Sequence, residues 1–281
     1  MQSIAVIGAG TMGHGIAQMA AMAGRRTVLT DRDPAALERA RARIDANLDK
    51  GIARGKVSEG VRDRALALLR ETSELDAAVS DADLVIEAVP EDLALKQALF
   101  AAVEAAAPST AVLATNTSSL SISEVARAVS DSGRVIGTHF FNPVHIMTLL
   151  EVVVGDQTRP EVVSQVRAFG EALGKTVIEV RDVPGFATSR LGVALGMEAI
   201  RMVQDGVASV EDIDTAMVLG YRHPIGPLKL TDLVGLDVRM AIGSYLATEL
   251  GNPAFEPPAL LRRMVAEGRL GQKSGEGFYT W

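Results

Sequence analysis

Short apolar runs alternate with longer amphipathic stretches over roughly the first two thirds of the chain. The runs are rich in β-branched residues, as buried strands are, and they predict strands at 4–7, 27–30, 83–90, 111–115, 134–138, 149–154 and 176–180. The stretches between them predict helices at about 16–24, 33–53, 58–69, 91–106, 123–129 and 158–173. Strands that alternate with helices predict an α/β fold, here a doubly wound, mostly parallel sheet of the Rossmann type.

The pattern changes at Asp182-Val183-Pro184-Gly185, after which no strand signal returns. Helices are predicted at about 186–205, 210–219, 227–250 and 258–267. We therefore expect two domains, a Rossmann-type domain at 1–184 and an all-α domain at 185–281. The two helices predicted at 33–53 and 58–69 exceed what a minimal crossover needs, which indicates a projecting helical arm.

The turn after the first strand carries the strongest motif. Gly8, Gly10 and Gly13 have the spacing G-x-G-x-x-G, and the second predicted strand ends at Asp31, about 20 residues further on. The first glycine permits a tight turn, the second admits a pyrophosphate to the backbone, and the third lets helix and strand pack closely. An acidic residue at Asp31 can accept hydrogen bonds from ribose hydroxyls. The motif predicts a dinucleotide site whose turn also includes Ala9, Thr11 and Met12.

Composition excludes several other classes of protein. Met1–Gly24 has no charged residue, but its glycines and polar residues argue against a membrane segment, and no basic region precedes it. The net charge of −7 argues against general nucleic-acid binding. The absence of cysteine excludes disulfides and thiolate metal sites and is compatible with the cytoplasm. The four histidines lack metal-ligand spacing, so no metal is expected.

Polar residues gather where the predicted strands end, the edge at which open α/β sheets bind ligands. The set is Gly8, Asp31, Glu91, Asn116, Ser118 and His139. We expect Asn116 and Ser118 to contact the cofactor there. His139 follows a strand, and Glu151 begins the next one, where its carboxylate can orient the imidazole. A His–carboxylate pair beside a nicotinamide can remove an alcohol proton as hydride leaves.

Lys50, Arg54 and Lys56 place positive charge near the tip of the predicted arm. Two interpretations stay open on these residues alone. The charges can form a site for an anionic ligand, or they can be an ordinary solvated helix end.

Several motifs together resemble the 3-hydroxyacyl-CoA dehydrogenase family over nearly the whole chain. In the first domain and at its boundary with the second they are GAGTMGHGIA, Asn116-Thr117-Ser118-Ser119-Leu120, His139-Phe140-Phe141-Asn142-Pro143 and Pro184-Gly185-Phe186. In the second they are Glu211-Asp212-Ile213-Asp214, Gly226-Pro227 and Lys273-Ser274-Gly275-Glu276-Gly277-Phe278-Tyr279.

The resemblance implies NAD-dependent interconversion of an (S)-3-hydroxyacyl-CoA and a 3-oxoacyl-CoA, by a homodimer joined through its C-terminal helical domain. It implies that His139 is the catalytic base, that Glu151 pairs with it, and that Ser118 bonds the reacting oxygen. It also implies dinucleotide contacts from Glu91, Lys96, Asn142 and Lys273, and a contact with coenzyme A from Lys56.

Ser189 departs from the family pattern, which commonly has asparagine at this place in Pro-Gly-Phe-x-x-Asn-Arg. Serine is shorter, so we expect it to reach the substrate through water. Two other functions stay open: a non-catalytic dinucleotide-binding protein, and a dehydrogenase of free β-hydroxy acids. The second more often uses a catalytic lysine, whereas the matching residues here are His139 and Glu151.

Overall fold

Eight strands form one sheet in the first part of the chain, which a computed structural model describes over residues 1–281. They are β1 (Ser3–Ile7), β2 (Arg26–Thr30), β3 (Leu69–Thr72), β4 (Leu84–Glu87), β5 (Val112–Thr115), β6 (Val135–Phe140), β7 (Leu149–Val154) and β8 (Thr176–Arg181). Their order is β3-β2-β1-β4-β5-β6-β7-β8, and every neighbouring pair is parallel except β6 and β7. This confirms the predicted doubly wound sheet. The strand order reverses between β1 and β4, which is where such sheets bind their ligands.

Seven helices connect these strands. They are α1 (Gly13–Met22), α2 (Pro34–Ala53), α3 (Glu59–Leu68), α4 (Leu75–Val79), α5 (Leu93–Ala106), α6 (Ile122–Ala126) and α7 (Pro160–Ala172), with a 3₁₀ turn at Ser132–Arg134. Helix α2 begins as predicted, because Asp33 accepts a hydrogen bond from the Ala35 amide and Pro34 occupies the first position. Ser58 caps α3 in the same way through the amide of Val61.

Strand β3 and helix α4 are absent from the predicted pattern, in which one helix reached Leu69 and the next strand began at Asp83. The strand reads Leu-Arg-Glu-Thr, so only Leu69 is apolar and buried. Because β3 is an edge strand paired with β2 alone, its outer residues face water and leave no apolar run.

The core of this unit lies between the sheet and its helices. Ile4, Val6 and Ile86 on the central strands are buried, as are Ile16 on α1 and Leu48 on α2. The packing of these side chains holds the strands in position. It therefore also fixes the edge of the sheet at which the strands end, where a ligand site forms. The unit spans Met1–Asp182, and the remainder, Val183–Trp281, forms a second unit.

The second unit is helical. Its helices are α8 (Thr188–Gln204), α9 (Val210–Thr215, continued by a π turn at Ala216–Gly220), α10 (Pro227–Val234), α11 (Leu236–Leu250) and α12 (Ala259–Ala266). Two 3₁₀ turns lie at Pro253–Phe255 and Gln272–Ser274. The single helix predicted at 227–250 is wrong, because Gly235 adopts a φ of 101° and separates α10 from α11. No helix of the chain is both long and apolar enough to cross a membrane.

Two buried aspartates hold the C-terminal tail of this unit. Asp232 accepts hydrogen bonds from the amides of Phe278 and Tyr279, and Asp214 accepts one from the Tyr279 hydroxyl. Burial, together with the bond to Asp214, raises the pKa of Tyr279. Asp214 also accepts from the amide of Leu228 at the start of α10. The acidic and aromatic motifs of the second domain are therefore partners in its packing.

Candidate active site

The glycine turn fits the approach of a phosphate group. Gly8 has a φ of 100°, and a Cβ there would lie 2.6 Å from the carbonyl oxygen of Ala88. A Cβ on Gly13 would overlap the carbonyl oxygen of Gly8, so only glycine lets α1 pack against β1. By contrast, no atom lies within 4 Å of the place a Cβ would occupy on Gly10. That open face is where a pyrophosphate can reach the backbone.

A cavity of about 600 Å³ opens beside this turn. Its lining includes Gly8, Gly10, Thr11, Met12, Asp31, Arg32, Val89, Pro90, Leu95 and Leu99. The Asp31 carboxylate accepts a hydrogen bond of 2.8 Å from the amide of Ala9. This bond fixes the position of the carboxylate relative to the glycine turn. An apolar cavity with a phosphate-binding turn and an acid at its side fits a dinucleotide.

His139 and Glu151 form a buried pair on the same edge of the sheet. The antiparallel register of β6 and β7 sets them directly opposite each other, and Nδ1 of His139 lies 2.6 Å from Oε2 of Glu151. Their side chains are 7% and 0% exposed. The sequence placed His139 beyond a strand ending at Thr138, but β6 continues through Phe140, so His139 lies inside the strand. Hydrogen bonding to β7 extends β6 beyond the apolar run from which its end was predicted.

The end of β5 is tied to Glu91. One carboxylate oxygen of Glu91 accepts hydrogen bonds from the Thr117 hydroxyl at 2.5 Å and from the Ser118 amide at 2.9 Å. Burial favours the protonated form of Glu91, but the bond from Thr117 and the charge of Lys96 outweigh it. The pKa of Glu91 therefore lies below its ordinary value. This arrangement fixes the backbone that carries Ser118.

Lys96 is completely buried, and its ammonium group lies between two acids. Nζ is 2.7 Å from Oε1 of Glu87 and 3.4 Å from Oε2 of Glu91. Glu87 also accepts from the Thr115 hydroxyl. The structure thus assigns Lys96 a supporting position behind Glu91, and a direct contact with the cofactor stays a prediction. Glu87 was missed in the sequence, where the one acid inside the apolar run LVIEAVP was its only signal.

Two asparagines lie close to the histidine strand. Asn116 follows β5, and its Oδ1 accepts a hydrogen bond of 3.0 Å from the amide of Phe140. Asn142 lies near the start of the loop that joins β6 to β7. Lys175, also missed in the sequence, donates to the carbonyl of Val144 and, at 2.6 Å, to that of Met147. Burial lowers the pKa of this lysine, which holds the loop after His139 in place.

The remaining predicted residues are distributed over both units. Lys56 is exposed at the tip of the arm formed by α2 and α3, as are Lys50 and Arg54. Ser189 lies in the first turn of α8, and it is half-buried. Lys273 pairs with Asp237 of the same unit, at 2.6 Å.

The fold and the site together define a class of protein. A glycine turn at the point where the strand order reverses and a buried His–Glu pair on the same sheet edge are features of a dinucleotide-dependent dehydrogenase. Family profiles narrow the class. Residues 3–183 match "3-hydroxyacyl-CoA dehydrogenase, NAD binding domain", and residues 185–281 match "3-hydroxyacyl-CoA dehydrogenase, C-terminal domain". The chain belongs to the 3-hydroxyacyl-CoA dehydrogenase family, whose members are NAD-dependent enzymes.

Individual relatives agree over full length. The chain is 44% identical to a 3-hydroxybutyryl-CoA dehydrogenase of Mycobacterium tuberculosis, across 100% of this chain and 99% of the relative. It is 42% identical to a probable 3-hydroxybutyryl-CoA dehydrogenase of Bacillus subtilis, across 100% and 98%. The crystal structure of (S)-3-hydroxybutyryl-CoA dehydrogenase from Ralstonia eutropha superposes with a TM-score of 0.97 at 39% identity, across 100% and 99%.

Proposed function

We propose that this enzyme interconverts (S)-3-hydroxyacyl-CoA and 3-oxoacyl-CoA with NAD, and that it prefers short acyl chains such as 3-hydroxybutyryl and acetoacetyl. The carrying observation is the buried pair of His139 and Glu151, whose nitrogen and oxygen lie 2.6 Å apart. Family membership supports the same chemistry.

In this proposal His139 is the general base for alcohol oxidation. The Glu151 carboxylate accepts a hydrogen bond from the N–H at Nδ1, which fixes the tautomer and leaves Nε2 as the nitrogen that takes the hydroxyl proton. Glu151 then stabilises the imidazolium that forms. Bound NAD supplies the hydride acceptor for the carbon that carries the hydroxyl group. In the reverse direction His139 returns its proton to the carbonyl oxygen.

Ser118 bonds the reacting oxygen in this mechanism, and it also lies beside the cofactor. The hydrogen bond from its amide to Glu91 supports this role, because it fixes the backbone that presents the hydroxyl. Glu91, Lys96, Asn116, Asn142 and Lys273 are further proposed contacts of the dinucleotide. Ser189 is a proposed substrate contact.

Asp31 makes the enzyme prefer NAD to NADP. Its carboxylate lines the cavity beside the turn, where it would accept from a ribose diol and repel a 2′-phosphate. Arg32 lines the same cavity and opposes this preference in part. Initial rates with NADH and NADPH test the assignment, which fails if kcat/KM with NADPH equals or exceeds that with NADH.

The exposed tip of the arm binds the phosphates of coenzyme A. Lys50, Arg54 and Lys56 form no ion pair with an acidic side chain, which supports this role. Replacing all three with alanine should mainly raise KM for the thioester, and added salt should do the same, because exposed charges are screened. An unchanged KM would make them an ordinary solvated helix end.

We also propose a homodimer joined through the second unit. Apolar side chains exposed on α10 and at the start of α11 support it, namely Leu230, Leu233, Val234 and Val238.

The direct test is reduction of acetoacetyl-CoA by NADH in the purified protein, with free acetoacetate as the matched substrate that lacks coenzyme A. We expect turnover of the thioester and little turnover of the free acid. Equal or faster reduction of acetoacetate would favour a dehydrogenase of free acids. NADH binding without turnover of either substrate would favour a non-catalytic binding protein.

A further inference from the structure

Four basic side chains of the first unit, His14, Arg43, Lys50 and His145, form a cluster beside the arm. His14 lies in the first turn of α1 and His145 in the loop between β6 and β7, and both histidines are half-buried. Arg43 and Lys50 are exposed on α2. Because the whole chain has a net charge of −7, this basic cluster is a local exception, and it would attract a ligand with negative charge.

A hydrogen bond between α1 and α2 brings three of these side chains to one surface. The side-chain amide of Asn47 on α2 donates to the side chain of Gln18 on α1 at 3.2 Å. His14 lies one helical turn before Gln18, so it shares this face of α1. Arg43 and Lys50 lie one turn before and one turn after Asn47, so they share the facing side of α2.

The loop that carries His145 packs against the same helix. A Cβ on Gly15 of α1 would lie 2.9 Å from the Cβ of Val144, so the loop and the backbone of α1 are in close contact. His14 and His145 are the chain neighbours of these two residues. The ammonium group of Lys175 donates to the carbonyl of Val144 and adds a further positive charge behind the loop.

The acids of the elements around the basic cluster are paired elsewhere or exposed. On α2, α3 and β3 they are Glu38, Asp45, Asp49, Glu59, Asp63 and Glu71. Four of them pair with Arg41 or Arg62, and Glu38 and Glu59 are exposed. None of these carboxylates acts on the pKa of either histidine. The positive charge of the cluster is therefore available to a ligand.

The surroundings of the two histidines disfavour their protonated forms in the protein alone. Burial lowers the pKa of His14 below its ordinary value of 6.5, its backbone hydrogen bond opposes this, and the charge of Arg43 lowers the pKa further. Burial also lowers the pKa of His145, and the charges of His14 and two lysines act in the same direction. An anion bound among these side chains would raise both pKa values.

We propose that the basic cluster binds a phosphate group of coenzyme A and that its two histidines make this binding tighter at acidic pH. The inference rests on the proposed function, in which the substrate is a thioester of coenzyme A. Because the carbonyl of Gly10 can only accept, Nδ1 of His14 carries a proton, and protonation adds a second donor at Nε2. That donor can form a charge-assisted hydrogen bond to a phosphate oxygen. Protons are therefore taken up as the ligand binds, and the affinity rises as the pH falls from neutrality through the range in which the histidines titrate.

Coenzyme A fits this position better than the dinucleotide does. Neither histidine lines the cavity beside the glycine turn, whereas Lys50 belongs both to the basic cluster and to the cations at the arm tip. Coenzyme A has a 3′-phosphate and a pyrophosphate, so it can contact both groups of cations. His145 lies on the loop that follows β6, the strand of the proposed catalytic base. The basic cluster therefore extends the phosphate-binding surface of the arm toward that strand.

Calorimetric titration of the purified protein with coenzyme A, at about pH 6 and about pH 8, tests the proposal. The comparison is the double variant His14→Gln and His145→Gln, because glutamine keeps a donor for the carbonyl of Gly10 but does not titrate. Titration of the ligand's own 3′-phosphate is the same for both proteins and cancels. Between the higher and the lower pH, we expect Kd of the parent to fall by about 10-fold relative to the variant, the scale of a hydrogen bond to a charged group. Buffers of different ionisation enthalpy should show proton uptake on binding that the variant lacks.

Two further variants separate charge from structure. His145→Arg has a permanent charge, so at the higher pH it should bind coenzyme A at least as tightly as the parent, and its affinity should depend less on pH. His223→Gln replaces a half-buried histidine of the second unit and is the matched control, which should keep the pH dependence of the parent. Circular dichroism and thermal unfolding would show that each variant is folded.

Equal changes of Kd with pH in the parent and the double variant would overturn the phosphate site. The same histidine-dependent change in Kd for NADH would also overturn it, because the basic cluster would then serve the dinucleotide. Reduction of acetoacetyl-CoA by NADH keeps the two proposals apart. A parent that reduces the thioester without the histidine-dependent pH effect loses only this site. One that binds coenzyme A as expected but reduces no thioester loses only the proposed function.

Discussion

His139 and Glu151 meet because of strand register. In an antiparallel pair, directly opposite residues share one face of the sheet, and a shift of one residue would send one side chain to the other face. The register of β6 against β7 therefore determines the geometry of the pair. The apolar side chains of β7 stabilise that register, since Leu150 and Val152 on either side of Glu151 are buried.

His139→Ala should lower kcat by at least about 100-fold, the low end for general acid–base catalysis, while NADH still binds. The imidazole is the proposed proton acceptor, and the cavity beside the glycine turn does not include it. Steady-state rates with acetoacetyl-CoA and NADH titrations by fluorescence would measure the two effects. Turnover close to that of the parent would remove His139 from the mechanism.

Ser189→Ala should lower kcat/KM by an amount equivalent to about 1–2 kcal/mol, the scale of one ordinary hydrogen bond. The hydroxyl is expected to hold a water that replaces the longer asparagine side chain. Ser189→Asn should therefore be tolerated or improve activity. Steady-state kinetics of both variants with acetoacetyl-CoA would test this. If kcat and kcat/KM of Ser189→Ala equal those of the parent, Ser189 does not contribute to catalysis.

Some residues of the candidate site could be predicted from the sequence, and others could not. His139 and Glu151 could be paired in advance because each lies next to an apolar run whose strand is easily recognised. Glu87 and Lys175 could not, because nothing in the local pattern shows that a charge at either position is buried and paired. The acceptors of Lys175 are carbonyls 28 and 31 residues before it.

At the scale of elements, Lys96 connects α5 to the end of β4. Lys96→Met should destabilise the protein by about 3–5 kcal/mol, because it leaves Glu87 buried without its countercharge. Denaturant unfolding would measure the loss. Lys56→Met, on the exposed arm, is the control and should change stability by less than about 0.5 kcal/mol. A loss as small as that of the control would show that Glu87 is satisfied by its other donors.

Glu91 adds a pH dependence to the same region. Its folded-state pKa lies below the ordinary value of 4.5, so the ionised carboxylate stabilises the fold above that pH. This contribution is lost as the pH falls through the lowered pKa. The free energy of unfolding should therefore decline less steeply on acidification in Glu91→Gln than in the parent. Parallel profiles between neutral and acid pH would contradict this.

The apolar pattern predicted the ends of an element well where the element is buried, as for β1 and α2. It failed where contacts with another element determine whether a strand or helix forms and where it ends. Strand β3 exists because β2 offers an unpaired edge, and β6 lengthens because β7 pairs with it. The break at Gly235 depends on a backbone conformation that the helical pattern of 227–250 does not reveal.

At the scale of the whole molecule, the chain divides at Asp182, two residues before the boundary placed at Pro184. The series of short apolar runs that predicts strands ends at the same place. The first unit contains strands that are buried on both faces, whereas the second unit contains only helices. The second unit packs amphipathic helices, and it leaves apolar side chains exposed. Leu219 and Tyr221 are 76% and 77% exposed.

The proposed dimer would cover a different group of exposed apolar side chains, on α10 and α11. Leu230, Leu233 and Val234 share one face of α10 at helical spacing, and Val238 continues the patch on α11. Patches of this kind on a soluble protein are typical of interfaces between subunits. Leu233→Glu would bury a charge without a countercharge in such an interface. We expect it to weaken the dimer by at least about 100-fold, or roughly 2.7 kcal/mol.

Light scattering after size-exclusion chromatography, over a range of concentrations, would measure the mass of parent and variant. Val207→Glu is the matched control, because Val207 is 63% exposed in the turn after α8 and does not belong to the patch. The parent and the control should have twice the mass of one chain, and Leu233→Glu should shift to one chain at low concentration. A monomeric parent would contradict the dimer. If Leu233→Glu does not weaken the dimer, the interface lies on another surface, because burying an unpaired glutamate in this patch would reduce the affinity between the subunits.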